Sequence, residues 1–378
     1  MMDLSIAART EAVLGAVLLI SVLFGAIGRA SHFCTLGALG DWVHFGDTAR
    51  LRMWALAVGV GVLGFHTLVA LGLVQSDWTI YGTSLWLWGS ALIGGALFGV
   101  GMVLSSGCPS KTLIRLGGGN LKSVVVLLVM GLAAWMTMRG LTAVWRVASV
   151  DRLALELPVS QTLSELLVWW TGLGRTTLAE WVGVVAGGGL VTWAVSTPEG
   201  RTREVLLGGL GMGALVVLVW WVTGVFGHIA EHPETLQEDF LGSANHRMEG
   251  LSLVSPLALG LEWLIFYSDQ SRTLSLGVVA LIGIPVGACL HAVLTRSLCW
   301  EGFHDVPDLR RHLIGAALMG VGGVTAMGCS IGQGLTGLST LGLTSLTAVF
   351  GIVVGAVPML RYLAWRVEQD ALALEGAN

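Results

Sequence analysis

Two short segments of this chain place a cysteine directly after a glycine, each at the end of a long apolar run. They read GCPSKT at 107–112 and GCSIGQG at 328–334. Glycine lets backbone approach a bound group and adopt unusual torsions. A helix that follows presents free N–H groups and the positive end of its dipole, and a thiol adds a weak S–H donor and a polarisable sulfur. Together these properties suit an anion that contains sulfur.

The protonation state of the thiols decides what they can do. An unperturbed thiol has a pKa of about 8.5 and is mostly neutral near pH 7. A neutral thiol donates a hydrogen bond to a dianion, whereas a thiolate repels a dianion or attacks it. We therefore favour passage of an ion by S–H contacts over covalent chemistry. The competing interpretation is a small residue buried in a tight helix pair; it is stronger for Cys289, inside an apolar span, than for Cys108 and Cys329.

Several neighbours of these cysteines have two open interpretations. Arg29 and His32 either gather an anion at an entrance or mark the interfacial end of a span. Lys111 either neutralises substrate charge or snorkels to the headgroups, and Gln333 has an amide to offer substrate oxygens. The candidate substrate-binding residues are Arg29, His32, Cys34, Gly107, Cys108, Lys111, Gly328, Cys329 and Gln333.

The composition places these segments in a lipid bilayer. Of 378 residues, 54% are hydrophobic, 12% are charged and 54 are glycine, with a mean hydropathy of +0.79. Ordinary soluble domains carry about 25% charged residues and about 7% glycine. A net charge of -4 supplies no basic field for nucleic acid, so nucleic-acid binding is excluded.

No metal site, catalytic residue or cofactor is predicted. The five cysteines are odd in number and contain no CxxC, which argues against a disulfide framework or a zinc knuckle. His228 and His232 have the spacing of metal ligands, but a proline follows and the surrounding carboxylates suit a solvated loop.

The hydropathy pattern predicts an all-α, polytopic integral membrane protein, because about 20 apolar residues make one crossing. Four shorter apolar pieces are expected to be re-entrant or interfacial, and at membrane depth they must line protein or a wet cavity. The nine predicted crossings are 11–28, 53–74, 83–104, 123–138, 178–195, 205–226, 274–294, 313–327 and 343–360, and the four short pieces are 33–45, 108–117, 256–267 and 329–338.

An internal repeat relates the two Gly-Cys segments. At an offset of 221, residues 94–108 (GGALFGVGMVLSSGC) match 315–329 (GAALMGVGGVTAMGC) at nine of fifteen positions. An odd number of crossings makes the two copies run in opposite directions, as in transporters that place broken helices beside the substrate. We expect one transporter domain over 1–378, with repeat halves at 11–140 and 177–360, an amphipathic helical connector at 141–176 and a cytoplasmic tail at 361–378.

The charge distribution predicts the orientation. With nine crossings, most Lys and Arg residues fall on one face, which is then cytoplasmic by the positive-inside rule. The acidic loop 227–250 (GHIAEHPETLQEDFLGSANHRMEG) falls outside.

Three segments together resemble a known family. GRASHFC at 28–34, GCPSKT and AMGCSIGQGLTG at 326–337, in this order on a doubled helical frame, resemble the YeeE/YedE family of bacterial inner-membrane sulfur-compound transporters. The first segment departs from that family, with glycine and alanine where charged residues are frequent. The resemblance implies a multi-pass inner-membrane protein that takes up thiosulfate and relays it between Cys34, Cys108 and Cys329. It also implies a small TusA-like sulfur carrier as partner, alongside membrane lipids.

Three other functions remain open on the residues alone. The first is transport of another sulfur or selenium anion, such as sulfite. The second is a membrane thiol-redox protein, and the third is a structural subunit of a larger complex. Against the redox protein stands the lack of a closely spaced cysteine pair that could form and resolve a disulfide. Against the structural subunit stand the duplicated Gly-Cys loops, which it would leave without a purpose.

Overall fold

The chain is built almost entirely from helices, as the apolar runs predict. A computed structural model describes residues 5–233, 236–269, 274–303 and 305–375. The helices are α1 Ile6–Ala30, α2 Thr35–Phe45, α3 Ala49–Ala70, α4 Trp88–Leu104, α5 Pro109–Gly117, α6 Lys122–Arg139, α7 Leu141–Ala148, α8 Leu163–Thr171, α9 Arg175–Val182, α10 Gly188–Val195, α11 Arg203–Trp221, α12 Val254–Ile265, α13 Leu276–Leu294, α14 Val306–Thr325 and α15 Leu343–Glu375. Two antiparallel pairs of two-residue strands complete the elements: β1 Leu85–Trp86 with β2 Leu155–Glu156, and β3 His228–Ile229 with β4 Asp239–Phe240.

Eight helical stretches of the described chain are long and apolar enough to cross a membrane. They overlap eight of the nine predicted crossings, although 53–74, 83–104 and 274–294 extend past the helix ends. α9 and α10 are joined into one stretch by a π-helical turn. The ninth predicted crossing, 313–327, lies in α14, whose first two turns carry Asp308, Arg310 and Arg311. This helix nevertheless packs between α4 and α6. The prediction of a polytopic all-α membrane protein is confirmed.

The predicted short apolar pieces form helices that stop well short of a crossing. α2, α5 and α12 have 11, 9 and 12 residues, and the fourth piece forms a buried π-helical turn, Gly332–Gly337. At 1.5 Å per residue these helices reach about 14–18 Å, roughly half the bilayer core.

The two repeat copies meet along α4 and α14, where corresponding glycines of the two copies make equivalent contacts. A methyl group added at Gly101 would lie 2.6 Å from the Gly315 carbonyl oxygen, and one at Gly322 would lie 2.6 Å from that of Gly94. At the offset of 221, Gly101 matches Gly322 and Gly94 matches Gly315. A pseudo-twofold axis exchanges contacts in this manner.

The helices flanking this pair repeat the pattern. α4 packs on α15 as α14 packs on α6, and α1 packs on α13 as α3 packs on α11. Gly99 of α4 faces the Ile352 carbonyl of α15, and its match Gly320 of α14 faces the Met130 carbonyl of α6. Such backbone contacts need small residues, which accounts for much of the glycine content.

The connector at 141–176 is not one amphipathic helix, which corrects that expectation. It contains α7, β2 and α8, because β2 pairs with β1 ahead of α4 and interrupts the helical path. Trp145, Trp169 and Trp170 are exposed, which suits the membrane interface. At the other end, α15 continues without a break to Glu375, so the predicted tail begins as helix. The limits of the two halves stay a prediction.

Candidate functional site

Three helices end in the same turn just ahead of a cysteine. Each turn is a Schellman motif, in which the second residue past the helix has a positive φ and the next N–H bonds back to the carbonyl five residues earlier. In the first turn His32 has a φ of 52°, and the Phe33 amide donates to the Gly28 carbonyl at 3.1 Å. In the second, Ser106 has a φ of 55°, and the Gly107 amide donates to the Met102 carbonyl at 3.0 Å. In the third, Met327 has a φ of 59°, and the Gly328 amide donates to the Gly323 carbonyl at 2.8 Å.

These turns use residues with side chains where glycine is the usual choice. A non-glycine residue in a sparsely populated conformation costs about 1–3 kcal/mol and persists only where its surroundings hold it. Arg115 helps to hold one turn, since its Nη1 donates to the Ser106 carbonyl at 2.8 Å. A fourth such turn, at Arg296 after α13, has Leu298 at the place of the cysteine.

Two of the three cysteines cap the element that follows them through their sulfur. The Cys34 Sγ accepts from the Gly37 amide at 3.3 Å, and the Cys329 Sγ accepts from the Gly332 amide at 3.4 Å. Cys108 differs, because its Sγ lies 3.1 Å from the Ser110 hydroxyl instead. A thiol that accepts from an amide keeps its own S–H free to donate.

The three thiols are buried, and Cys108 lies near each of the other two. Cys34 is 9% exposed, and Cys108 and Cys329 are fully buried. Cys108 is within electrostatic range of both of the others. By contrast Cys289 is half-buried and Cys299 is exposed, so neither shares these surroundings. The fold thus brings together the three cysteines that the sequence singles out.

Gly107 and Gly328 act through close approach and not through unusual torsions, which corrects that part of the expectation. The positive φ values fall on the residues before them. A methyl group on Gly328 would lie 3.0 Å from the Gln333 Cγ, and one on Gly107 would lie 3.3 Å from the Lys111 Cγ. Small residues here let the turn fold against the element that follows.

The predicted cationic residues lie on the side of Cys34 and Cys108. Lys111 is within electrostatic range of both thiols and of Arg50 and Arg115. His32 is exposed. The Arg29 Nη2 donates to the Ser297 carbonyl at 2.9 Å and to its hydroxyl at 3.0 Å, so that side chain joins the end of α1 to the loop after α13.

Gln333 is fully buried, and both polar ends of its amide bond to protein. The Nε2 donates to the Ala326 carbonyl at 2.7 Å, and the Oε1 accepts from the Ser345 hydroxyl at 2.6 Å. The side chain therefore ties the Cys329 turn to the end of α14 and to α15. Both polar ends of the amide are thus engaged within the protein, and a contact of Gln333 with substrate stays a prediction.

Tyr81, which sequence reasoning missed, supports the Cys329 turn from the segment between α3 and α4. Its buried hydroxyl donates to the Gly332 carbonyl at 2.6 Å. The two residues are 251 positions apart, so no local pattern signals the contact. The only hint is that the chain has just three tyrosines.

Replacing Tyr81 with phenylalanine should loosen the Cys329 turn. A buried carbonyl left without its donor costs about 1–3 kcal/mol, so we expect Tyr81→Phe to lower the melting temperature of the purified protein. The mutation Tyr362→Phe, on exposed α15, is the matched control. Equal melting temperatures for the two variants would show that the Tyr81 hydroxyl contributes nothing.

Comparison with known proteins agrees with this architecture. A family profile described as Sulphur transport matches residues 30–357. The chain belongs to this family.

Three curated relatives are similar to this family member. Thiosulfate transporter TsuA of Escherichia coli strain K12 is 28% identical over 84% of this chain and 85% of its own. Thiosulfate transporter TsuA of Spirochaeta thermophila is 26% identical over 89% and 95%. Probable transporter YedE of Escherichia coli is 29% identical over 27% of this chain and 24% of its own. Sulfur transport is thus supported for the whole membrane domain.

In this Sulphur transport family member, two cavities lie beside the elements that carry Cys34 and Cys108. One of about 730 Å³ is lined by residues around the α1–α2 junction and the start of α11, including Ser31, Asp41, Arg50 and Glu204. Another of about 270 Å³ lies beside α5 and α14, with Arg115 among its lining residues. Both cavities therefore have charged side chains of both signs in their linings.

The described residues of loop 227–250 lie at the end of α1 that is far from Cys34, because the Arg9 Nη2 donates to the His228 carbonyl at 2.9 Å. Thr336, in the turn after Cys329, donates to the Leu251 carbonyl at 2.8 Å, and the Met248 amide donates to the Trp78 carbonyl at 2.9 Å. His228 bonds to Glu238 at 2.8 Å. Within the described ranges, no group of three or more His, Cys, Asp or Glu is placed to hold a metal ion.

Glu249 is a titratable group of this loop whose carboxyl accepts several hydrogen bonds. Burial raises the pKa of Glu249, against the opposing effect of hydrogen bonds from the Ala244 amide, the Ser243 hydroxyl and Asn245. When the pKa of a carboxyl is higher in the folded than in the unfolded protein, the fold is most stable below the unfolded-state pKa, which for Glu is about 4.3. This stability is lost as pH rises through the folded-state pKa.

We therefore expect the melting temperature of the wild type to fall as pH rises from about 4 through that raised pKa. Glu249→Gln, which keeps an acceptor oxygen without the charge, should reduce the fall. The check is a melting curve series in detergent from pH 4 to 8. Parallel pH profiles for wild type and variant would contradict this role of Glu249.

Proposed function

We propose that this chain takes up thiosulfate through a narrow pathway in which three thiols pass the ion by S–H hydrogen bonds. The observation that carries the proposal is the grouping of Cys34, Cys108 and Cys329, each buried just ahead of a short helical element. The names of the two long-matching relatives support thiosulfate as the cargo. The duplicated turns supply the frame in which the thiols meet.

The mechanism replaces the ion's water shell in steps. Cys329 lies toward the acidic outer loop and Cys34 toward the arginine-rich face, with Cys108 in range of both. Each thiol offers one weak donor, and conduction needs several weak sites because a single deep site would trap the ion. Lys111, beside Cys34 and Cys108, offsets part of the negative charge at the inner end.

Neutral thiols fit this role better than reactive ones. A thiolate would repel a dianion, whereas an S–H group donates to it. All three cysteines are free in the structure. We therefore favour a transporter without covalent steps over a thiol-redox enzyme. Trapping a mixed disulfide or persulfide on Cys34 would instead favour the enzyme.

The cellular setting follows from the resemblance and the charge pattern. We place the chain in the bacterial inner membrane, with the arginine-rich face inside, where a TusA-like sulfur carrier would receive the cargo. The two repeat halves at 11–140 and 177–360 would enclose the pathway, and membrane lipids would surround it.

The proposal is tested by growth on thiosulfate as sole sulfur source. A bacterium lacking its own uptake systems should grow only when it carries this gene. Competition of labelled thiosulfate uptake by sulfite and by selenium anions then defines the cargo. No growth from a well-expressed protein, or stronger uptake of a competing anion, would contradict thiosulfate as the substrate.

A further inference from the structure

The polar cavity of about 270 Å³ lies directly beside the Cys108 turn. Ser105 and Ser106, which lead from α4 into Cys108, form part of its wall, as do Thr112 and Arg115 of α5. A polar space of this volume has room for several water molecules. The other charged or titratable residues of the wall are Lys122, Glu301, Asp308 and His312.

The ring of His312 has its hydrogen fixed on one nitrogen. Its Nδ1 lies 3.0 Å from the Asp308 Oδ1 and 2.8 Å from the Asp308 carbonyl oxygen. Both of these oxygens accept, so Nδ1 carries the hydrogen and Nε2 has a lone pair. Nε2 makes no hydrogen bond to any other described residue. The side chain is 10% exposed and lines the cavity, so Nε2 is the atom that can take a proton there.

The charges beside His312 favour an added proton. The second oxygen of the Asp308 carboxylate, Oδ2, lies 3.0 Å from the Lys122 Nζ. The Glu301 Oε1 lies 3.7 Å from the same Nζ. One ammonium group thus lies between two carboxylates, which leaves one negative charge among the three groups. A proton on His312 would neutralise it, and Asp308 would stabilise the resulting imidazolium directly.

The other elements packed on α14 leave this balance in place. Arg115 of α5 is directed at the Cys108 turn, where its Nη1 donates to the Ser106 carbonyl at 2.8 Å. α4 contains no charged residue. Glu262 of α12 bonds to Arg139, at the end of α6 opposite Lys122, with 3.2 Å between Oε1 and Nη1. On α14 itself, the side chains of 310 and 311 are exposed arginines.

The charge of the cargo gives such a site a purpose. A membrane potential of about 100 mV, negative inside, opposes the accumulation of a dianion by roughly three orders of magnitude. One proton carried with each ion cancels half of that charge. A proton at His312 and an anion at Cys108, on the other side of the Ser105–Ser106 wall, attract each other, so each strengthens the binding of the other.

We propose that His312 Nε2 binds a proton that accompanies thiosulfate, so that uptake is coupled to the proton gradient. This inference rests on the proposed function and extends it. A water molecule on the pathway side gives the proton to Nε2, and water of the cavity takes it as the ion leaves; no other bond is made or broken. Asp308 orients the ring, and Lys122 holds the carboxylate of Asp308. Histidine suits this role because it ordinarily exchanges its proton between pH 5 and 8.

Proteoliposomes with a pH dye in the lumen test the coupling. With the membrane potential held at zero by potassium and valinomycin, a pH one unit lower outside should raise the accumulation of labelled thiosulfate about tenfold for one proton per ion. At equal pH, adding thiosulfate should acidify the lumen. His312→Gln keeps a donor for Asp308 without a titrating ring, so it should take up thiosulfate down its gradient and show neither effect. His44→Gln, at an exposed histidine of α2, is the matched control and should behave as wild type.

A second variant reports the site by a shift and not by a loss. Glu301 has an exposed side chain, and Glu301→Gln removes a negative charge from the cavity wall. The proton is then held less tightly, so the pH dependence of uptake should move to lower pH. This variant decides the assignment if His312→Gln does not elute as a single peak in size-exclusion chromatography.

The outcomes separate this inference from the transport proposal. Thiosulfate uptake by wild type without acidification of the lumen overturns proton coupling and leaves transport standing. Equal acidification in wild type and His312→Gln, or an unchanged pH profile in Glu301→Gln, overturns the site at His312. If wild type carries no thiosulfate at all, the proposed function fails and this inference fails with it.

Discussion

Replacing Cys108 or Cys329 with alanine is expected to reduce thiosulfate uptake to near background while the protein stays folded in the membrane. Each change removes an S–H donor to a charged ligand, an interaction worth about 1.5–3 kcal/mol, or roughly tenfold to a hundredfold in affinity. Losing a step from a relay interrupts the passage itself, so the effect on uptake should reach the upper end of that range. Uptake of labelled thiosulfate into proteoliposomes is the measurement.

The chain provides its own control for this prediction. Cys289→Ala and Cys299→Ala remove a thiol of the same chemistry outside the buried group, and both should leave uptake unchanged. Cys34→Ala should resemble the first pair. Full uptake in Cys108→Ala and Cys329→Ala would contradict the relay, and a loss in Cys289→Ala alone would relocate the pathway.

Valine at Gly101 or Gly322 is expected to prevent correct assembly of the two repeat copies. Both residues lie where α4 and α14 touch backbone to backbone, 2.6 Å being left between an added methyl group and the facing carbonyl oxygen. Overpacking a well-filled core costs typically 1–3 kcal/mol and sometimes more, and here rigid backbone would have to shift. We expect little folded protein and no uptake.

The matched control is valine at Gly15. That glycine also lies inside a membrane helix, but a methyl group added there would meet nothing within 4 Å. The folded yield of Gly15→Val, measured by size-exclusion chromatography in detergent, should equal that of wild type. Similar yields for Gly15→Val and Gly101→Val would show that the close contact of α4 with α14 is dispensable.

Local sequence patterns were enough to predict the crossings and the duplicated Gly-Cys segments. Apolar runs report lipid exposure directly, and the match of 94–108 with 315–329 reports the repeat. They did not predict which residue takes the strained conformation. The sequence suggested that Gly107 and Gly328 adopt unusual torsions, yet the positive φ is found at Ser106 and Met327. The hydrogen bonds at the end of each helix determine which residue has the positive φ.

Long-range contacts explain what sequence reasoning missed. Tyr81 supports Gly332 from 251 residues away, and this contact forms only once the fold has brought the two residues together. Gln333 was proposed as a ligand from its amide alone, and its engagement with Ala326 and Ser345 depends on the fold. The connector broke into pieces because β2 pairs with β1.

The most direct test of the relay is a structure of the purified protein bound to thiosulfate. We predict density for the ion in contact with the sulfur of Cys108 and of at least one of Cys34 and Cys329, and its absence in Cys108→Ala. Thiosulfate bound only among the arginines of the flanking cavities, with the three thiols untouched in a protein that transports it, would contradict the account.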